Sequence, residues 1–125
     1  MRKSILLSLL VVSVVVAGCA EKKKHNEKYY QTQLCNELDG VMEQSLLDRT
    51  RVDCLTDEYA IEVDFAKKWA ESIGQSLYYA AMTEKKPGIG FILRDNKKDS
   101  RYLKRVKVLA DKYHIKIFKI QRGGD

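Results

Sequence analysis

Histidine is scarce in this chain. Only His25 and His114 occur, one in a lysine-rich stretch and one at the expected end of a helix, which leaves Ser/His or Cys/His nucleophilic catalysis without a well-placed base. No CxxC pair and no Cys/His cluster is present, which argues against a structural zinc site. Gly88-Ile89-Gly90 lacks the surroundings of a nucleotide-binding loop. There is no internal repeat. The longest apolar run, Ile5 to Ala17, is interrupted by Ser8 and Ser13 and is too short and too poorly flanked for a transmembrane helix.

That run has a second use. Arg2 and Lys3 precede it and small residues end it, which is the pattern of a secretory signal peptide. Val16-Ala17-Gly18-Cys19 resembles the lipobox of bacterial lipoproteins: an aliphatic residue, two small ones and the cysteine that accepts lipid. The resemblance implies a leader over residues 1–18 and acyl chains such as palmitate on Cys19. It also implies a domain tethered to a membrane on the extracytoplasmic side, since several chains together give stable anchoring. Ala20, in place of Asp, is the pattern that permits sorting to an outer membrane if the host is Gram-negative, with the domain then in or facing the periplasm. The stretch from Ala20 to Lys28 carries Lys22, Lys23, Lys24 and Lys28 and reads as a short polar tether. An ordinary signal peptide with a chance cysteine, or an uncleaved anchor, is the competing reading.

Removing the leader leaves 107 of the 125 residues, enough for one domain with its own core, and lowers the net charge from +6 to +4. The charge is unevenly spread. Glu37 to Asp64 holds nine acidic residues against Arg49 and Arg51, whereas Arg94 to Arg122 holds eleven Lys or Arg against Asp95, Asp99 and Asp111. A carboxylate-rich middle beside a basic end fits a metal site next to a polyanion surface, and it also fits a solvated surface with no partner. With Cys19 assigned to lipid, Cys35 and Cys54 remain either as a disulfide or as two buried thiols.

Hydrophobic periodicity predicts the elements. Tyr30, Leu34 and Leu38 recur every four residues and suggest a helix over Tyr29–Leu38, ended by Asp39-Gly40. Three strands follow: Val41 to Leu47, Arg51 to Thr56 and Tyr59 to Phe65. In the second, Val52 and Cys54 alternate with Asp53 and Leu55. In the third, Tyr59, Ile61, Val63 and Phe65 share one face and Ala60, Glu62 and Asp64 the other. From Lys67 to about Lys86 the period becomes helical, with Ala66, Trp69, Ala70, Ile73, Leu77, Ala80 and Ala81 as the apolar stripe and Gln75 and Tyr79 opposite. Pro87-Gly88 is expected to break the chain before a strand over Ile89–Leu93. A charged loop (Asp95 to Ser100), a helix carrying Leu103, Val106, Leu109, Ala110 and Tyr113, and a strand over Ile115–Ile120 complete an α/β order of α-β-β-β-α-β-α-β.

This order, with its motifs, resembles the PD-(D/E)XK nuclease superfamily, whose restriction-endonuclease-like core is α-β-β-β-α-β; here a helix and strand are added at the C-terminal end, and the domain spans 29–125. The likeness covers about Tyr29 to Leu93. Gly40-Val41-Met42-Glu43 is similar to the GxxE of the RecB-like branch. Asp53 matches the lone aspartate of the second strand, Glu62-Val63-Asp64 the ExK position, and Gln75 to Tyr79 the QxxxY of the following helix. The resemblance implies phosphodiester hydrolysis with Mg²⁺ or Mn²⁺, which polarises phosphate and activates water. Its ligands would be Asp53 and Glu62 on adjacent strands, with Glu43 and Asp64 as further ligands, and Gln75 and Tyr79 would contact substrate.

The chain departs from the pattern at Asp64, which stands where the family has lysine. Three readings fit. Lys67, or its neighbour Lys68, swings in as the missing cation; Asp64 binds a second metal ion; or the site is inactive and the fold serves binding. Lys97, Lys98, Arg101, Lys104, Arg105 and Lys107 form a basic cluster that suits a phosphate backbone and equally a soluble helix face. The expectation is therefore a lipid-anchored, nuclease-like domain acting on nucleic acid, possible partners being DNA and the membrane. The alternative is a non-catalytic envelope lipoprotein serving protein interaction or DNA binding.

Overall fold

A computed structural model describes Gly18 and residues 24–122. The leader, Cys19 with its expected lipid, and the first residues of the tether lie outside the described residues. Asn26 starts the first helix, its side chain accepting the Tyr29 N–H at 3.0 Å. Helix α1 therefore runs Glu27–Glu37, two residues earlier than its apolar spacing indicates, and the end of the expected tether belongs to the fold. No described helix is long and apolar enough to cross a membrane.

Five strands form one mixed sheet in the order β1-β2-β3-β4-β5: Val41–Ser45, Arg51–Leu55, Tyr59–Phe65, Lys86–Leu93 and Lys116–Gln121. β1, β2 and β3 pair as an antiparallel meander, and β4 and β5 then add in parallel. A 3₁₀ turn, Ala66–Lys68, leads into α2, Trp69–Thr83, and α3 spans Lys97–Tyr113. Both β-α-β crossovers step the same way across the sheet. The right-handed rule then places α2 and α3 together on one face, over Ile89, Phe91, Leu93 and Ile117. Among the described residues α1 alone covers the other face, with Tyr30 and Leu34 against Ile61, Val63 and Ile92. A Cβ at Gly90 would sit 2.8 Å from Leu34 and 2.9 Å from Val63, so glycine is what lets α1 approach.

Three local expectations are corrected. Pro87 does not break the chain but lies inside β4. Lys86 donates its N–H to Glu58 in the β3 direction at 2.9 Å, and β5 first pairs at Gly88. The missing donor of proline thus faces a flank where no ladder has begun. On α2 the buried residues are Ser72, Ile73, Ser76, Tyr79 and Ala80, while Ala70 and Ala81 are exposed. The helix straddles β3 and β4, so its β3 side meets Ala60, Glu62 and Asp64 and carries hydroxyls there. Finally, Val52 and Cys54 do not share a face. Val52 packs with Ala60 and Tyr79 on the α2 side, and Cys54 with Tyr30 and Leu34 on the α1 side. β2 turns over at Asp53, opposite Glu43, which holds a left-handed φ of 54° within β1.

Cys35 of α1 and Cys54 of β2 are joined by a disulfide. Gly40 lies against it: an added Cβ would be 2.8 Å from Cys35 Sγ and would also collide with Cys54 Sγ.

Candidate functional site

The turn-over of β2 opens the sheet. The β2–β3 ladder holds at Leu55↔Ala60 and Cys54↔Ile61, and no further rung forms although β3 continues to Phe65. Asp53 and Glu62 stand at the next register position, the mouth of the split. Asp53 Oδ2 accepts the Val63 N–H at 2.8 Å, taking the place of a ladder carbonyl. Its own carbonyl accepts from Gln31 Nε2 of α1, also at 2.8 Å. Glu62 and Asp64 project from β3 toward α2 and are 6% and 2% exposed.

These side chains, with the half-buried Glu27 from the first turn of α1, gather carboxyls around a buried pair, Glu62 and Asp64. Burial first, and then the charges of Asp53, Asp64 and Glu27, push the Glu62 carboxyl up to about 9. Burial raises Asp53 to about 6 against the opposing Val63 hydrogen bond, helped by the charges of Glu43 and Asp64. Burial, with a hydrogen bond to Asp64, raises Glu27 to about 7. Asp53 and Glu62 lie within hydrogen-bonding reach, as do Glu27 and Asp64, so each pair can hold a proton between its carboxyls. Glu62 Oε2 is buried, and no N–H or hydroxyl among the described residues reaches it.

Among the described residues one cation enters the cluster. Lys68 Nζ lies 3.0 Å from Asp64 Oδ1 and 3.7 Å from Glu27, and the Asp64 contact holds its ammonium above the usual lysine range. Ser72 Oγ is 3.4 Å from Asp64 Oδ2 and 3.0 Å from the Lys68 carbonyl.

The residues singled out by sequence fare differently. Asp53, Glu62 and Asp64 come together. Glu43 is spent elsewhere: its carboxylate meets Lys28 at 2.8 Å, Gln31 at 2.9 Å and Arg51 at 3.7 Å, which holds it below the usual carboxylate range through Lys28 and Gln31. It locks β1 to α1 and is not placed as a ligand. Lys67 is not brought to the carboxylates. It lines a separate cavity with Arg94 and Arg122, and Lys68, four residues from Asp64, takes the contact expected of it. Tyr79 is not on the outer side of α2 but 7% exposed, raised above the usual tyrosine range by burial and by the Glu62 charge. Gln75, half-buried, lies one turn before it on the same helix. Glu27, Gln31 and Ser72 were not singled out. The Asn26-Glu27 cap and the i, i+4 spacing of Asp64 and Lys68 are the signals that would have found two members of the cluster.

A divalent ion tests the donor set. Asp53, Glu62 and Asp64 offer the hard oxygens that Mg²⁺ takes, and the orphaned Glu62 Oε2 is an acceptor in want of a positive partner. Among the described residues, however, no three carboxylates, histidines or cysteines already stand at metal-ligand spacing. The chemistry fits, and ligation requires the shared protons to leave.

Compared with family models, with curated proteins and with solved structures, the chain matches none.

Proposed function

We propose that this domain is a divalent-metal-dependent phosphodiesterase of the PD-(D/E)XK kind, acting on nucleic acid and held at an extracytoplasmic membrane surface by lipid on Cys19. Glu62 carries the reading: a buried carboxyl oxygen without a donor, among other carboxyls, at the split between two strands, is costly to maintain for stability alone. An antiparallel meander followed by a parallel strand agrees with the core order that the resemblance implies.

In this reading Asp53, Glu62 and Asp64 hold the ion, which when bound polarises a phosphate and lowers the pKa of water. Asp53 is kept in place by the Val63 N–H and by Gln31 at its carbonyl. Lys68 supplies the positive charge that the Asp64 substitution removes, beside the point where negative charge develops on phosphorus. Gln75 is the side chain of the pair left open enough to meet a nucleotide, and Tyr79 closes the wall behind Glu62.

The second reading, a binding module without catalysis, is favoured by one observation, the absence of a preformed group of three ligands among the described residues. The test incubates the full chain, purified with its disulfide intact, with single- and double-stranded DNA and with RNA in Mg²⁺ or Mn²⁺. Cleavage is expected, falling by roughly two to three orders of magnitude in Asp53→Asn and Glu62→Gln and persisting in Glu43→Gln. No cleavage by the wild type, or equal cleavage by the Asp53 and Glu62 variants, ends the catalytic reading.

A further inference from the structure

Three residues beyond Asp64 the electrostatics reverse. Phe65, Ala66, Lys67, Arg94, Asp99 and Arg122 line a half-open recess of about 140 Å³, roughly ten times the least volume that holds one water. It lies just past the carboxyl ends of the parallel strands β3, β4 and β5, where open α/β sheets take their ligands. Among the described residues its three cations face a single carboxylate. Asp99 is 3% exposed and already committed, accepting the Arg94 N–H at 2.7 Å and lying 3.6 Å from Arg94 Nε. Among the described residues neither Lys67 nor Arg122 meets a carboxylate within ion-pair distance. The Arg122 guanidinium sits 5.8 Å above the Phe65 ring, and its backbone N–H is tied to Leu93 O at 2.7 Å, so its direction is set before any ligand arrives. Lys97, Arg101 and Lys104, with Asp95 as the one acid of its lining among the described residues, line a second, open depression along the start of α3.

We infer that the Lys67–Arg94–Arg122 cavity is a phosphate-binding subsite, taking one phosphate of a nucleic-acid strand whose backbone continues over the basic start of α3. The assignment of nucleic acid rests on the reading proposed above; the preference for phosphate rests on the cavity itself. The two positive charges left after Arg94 meets Asp99 match a phosphate group, and the Arg122 guanidinium fork gives it directional donors. The sequence made Lys67 a candidate cation for the acidic cluster. Its place here gives it a different task on the same strand end, holding the polymer while the carboxylates a few residues away face another of its phosphates.

Titration calorimetry of the full chain, without divalent metal, tests this with inorganic phosphate and with an oligodeoxynucleotide carrying either a 5′-phosphate or a 5′-hydroxyl. The Lys67→Gln/Arg122→Ala double variant is expected to weaken phosphate and oligonucleotide binding roughly tenfold or more. It should also reduce the salt slope for the oligonucleotide by about two. Arg122→Lys, which keeps the charge and loses the fork, should fall between, and neither buried packing nor melting temperature should change. A dependence confined to the 5′-phosphate oligonucleotide assigns the cavity to a terminal monoester, and an equal dependence for both assigns it to backbone diesters. Equal binding by wild type and the double variant overturns the subsite even if the wild type cuts nucleic acid. Binding that depends on the cavity in a protein that cuts nothing upholds the subsite and overturns the nuclease.

Discussion

The two flanks of β3 treat charge in opposite ways. On the β2 side the strands part, and the buried Glu62 and Asp64 meet the half-buried Asp53 and Glu27, with Lys68 as their one cation among the described residues. On the β4 side the ladder is unbroken from Tyr59↔Lys86 to Phe65↔Ile92, and the charges at its end, Lys67, Arg94 and Arg122, line an accessible recess. An intact ladder satisfies its own backbone and leaves charged side chains to the rim, where they cost little. A ladder that opens has to find other partners for its N–H groups. Here an acid fills the gap, Asp53 capping Val63, and that draws carboxylates into a dry place. The same divergence that weakens the sheet builds the site.

The disulfide is what keeps the open side from coming apart. Cys35–Cys54 ties α1, with Glu27 and Gln31, to β2, with Asp53, and closes a separation of 19 residues. Both cysteines are fully buried. Reduction, or Cys35→Ser with Cys54→Ser, is expected to cost about 3 kcal/mol, lowering the melting temperature by roughly 10–20 °C. The loss should be uneven. Hydrogen exchange should rise first in α1 and β2 and leave β4 and β5 near their oxidised rates. Uniform acceleration across all five strands would mean that the two halves do not differ in the way described. Where the chain is reduced, cleavage should fall along with α1 protection, which would restrict activity to an oxidising compartment.

The carboxylate cluster itself sets the next effect in size, and its sign is unusual. Glu62, Asp53 and Glu27 all have folded values raised above their ordinary ones, to about 9, 6 and 7. The folded state therefore holds protons that the unfolded chain has already released. Stability is greatest at or below the ordinary carboxylate range and declines as pH climbs through the window from about 4 to about 9. Most proteins lose stability on acidification in part of that range. Thermal melts in metal-free buffer should show this decline. Glu62→Gln should flatten it and raise stability at the alkaline end, by roughly 1–3 kcal/mol, while abolishing cleavage. Mg²⁺ or Mn²⁺ should restore wild-type stability at the same pH and release protons as it binds. Wild-type stability that rises with pH, or a Glu62→Gln variant less stable than wild type at alkaline pH, would show that the carboxyls are not crowded.

Much of this architecture was legible in the sequence, and the failures have physical causes. Alternation over Tyr59–Phe65 and the apolar stripe of α3 specified a strand and a helix because each buries one continuous face. The adjacency of Asp53 and Glu62 followed from the meander. Glu27 was not legible because its cap lies among lysines, and a polar segment gives no periodic signal until Tyr30 and Leu34 find the sheet. Lys67 and Lys68 were indistinguishable because the 3₁₀ turn at Ala66–Lys68 advances each residue by a different angle than an α-turn does, and that angle decides which lysine faces Asp64. Gly40 and Glu43 looked like one motif, yet they answer to unrelated constraints. Gly40 makes room for two sulfurs, and Glu43 locks a strained β1 to α1. The face change at Asp53 arises from long-range packing against Tyr30 on one side and Tyr79 on the other, which no local pattern carries.

The smallest expected effect sharpens the contrast through two lysines with similar contacts. Lys68 reaches Asp64 at 3.0 Å and Lys86 reaches Glu58 at 2.8 Å, but Asp64 is 3% exposed on its side chain and Glu58 57%. Distance alone would rank Lys86 higher. Burial reverses the order, since removing Lys68 strands a carboxylate that water cannot reach, while Glu58 is simply rehydrated. Lys68→Met is therefore expected to lower stability by about 1–2 kcal/mol after allowing for solvent at its own exposed ammonium, and to reduce cleavage roughly a hundredfold. Lys86→Met should change neither quantity measurably. In 0.5 M salt, taken as about five times the usual ionic strength, the Lys68 effect should persist because its partner is shielded from counterions. Melting curves of both variants at low and high salt, with cleavage measured at the low value, decide the matter. Equal losses for the two lysines would mean that contact distance outweighs the dryness of the open side.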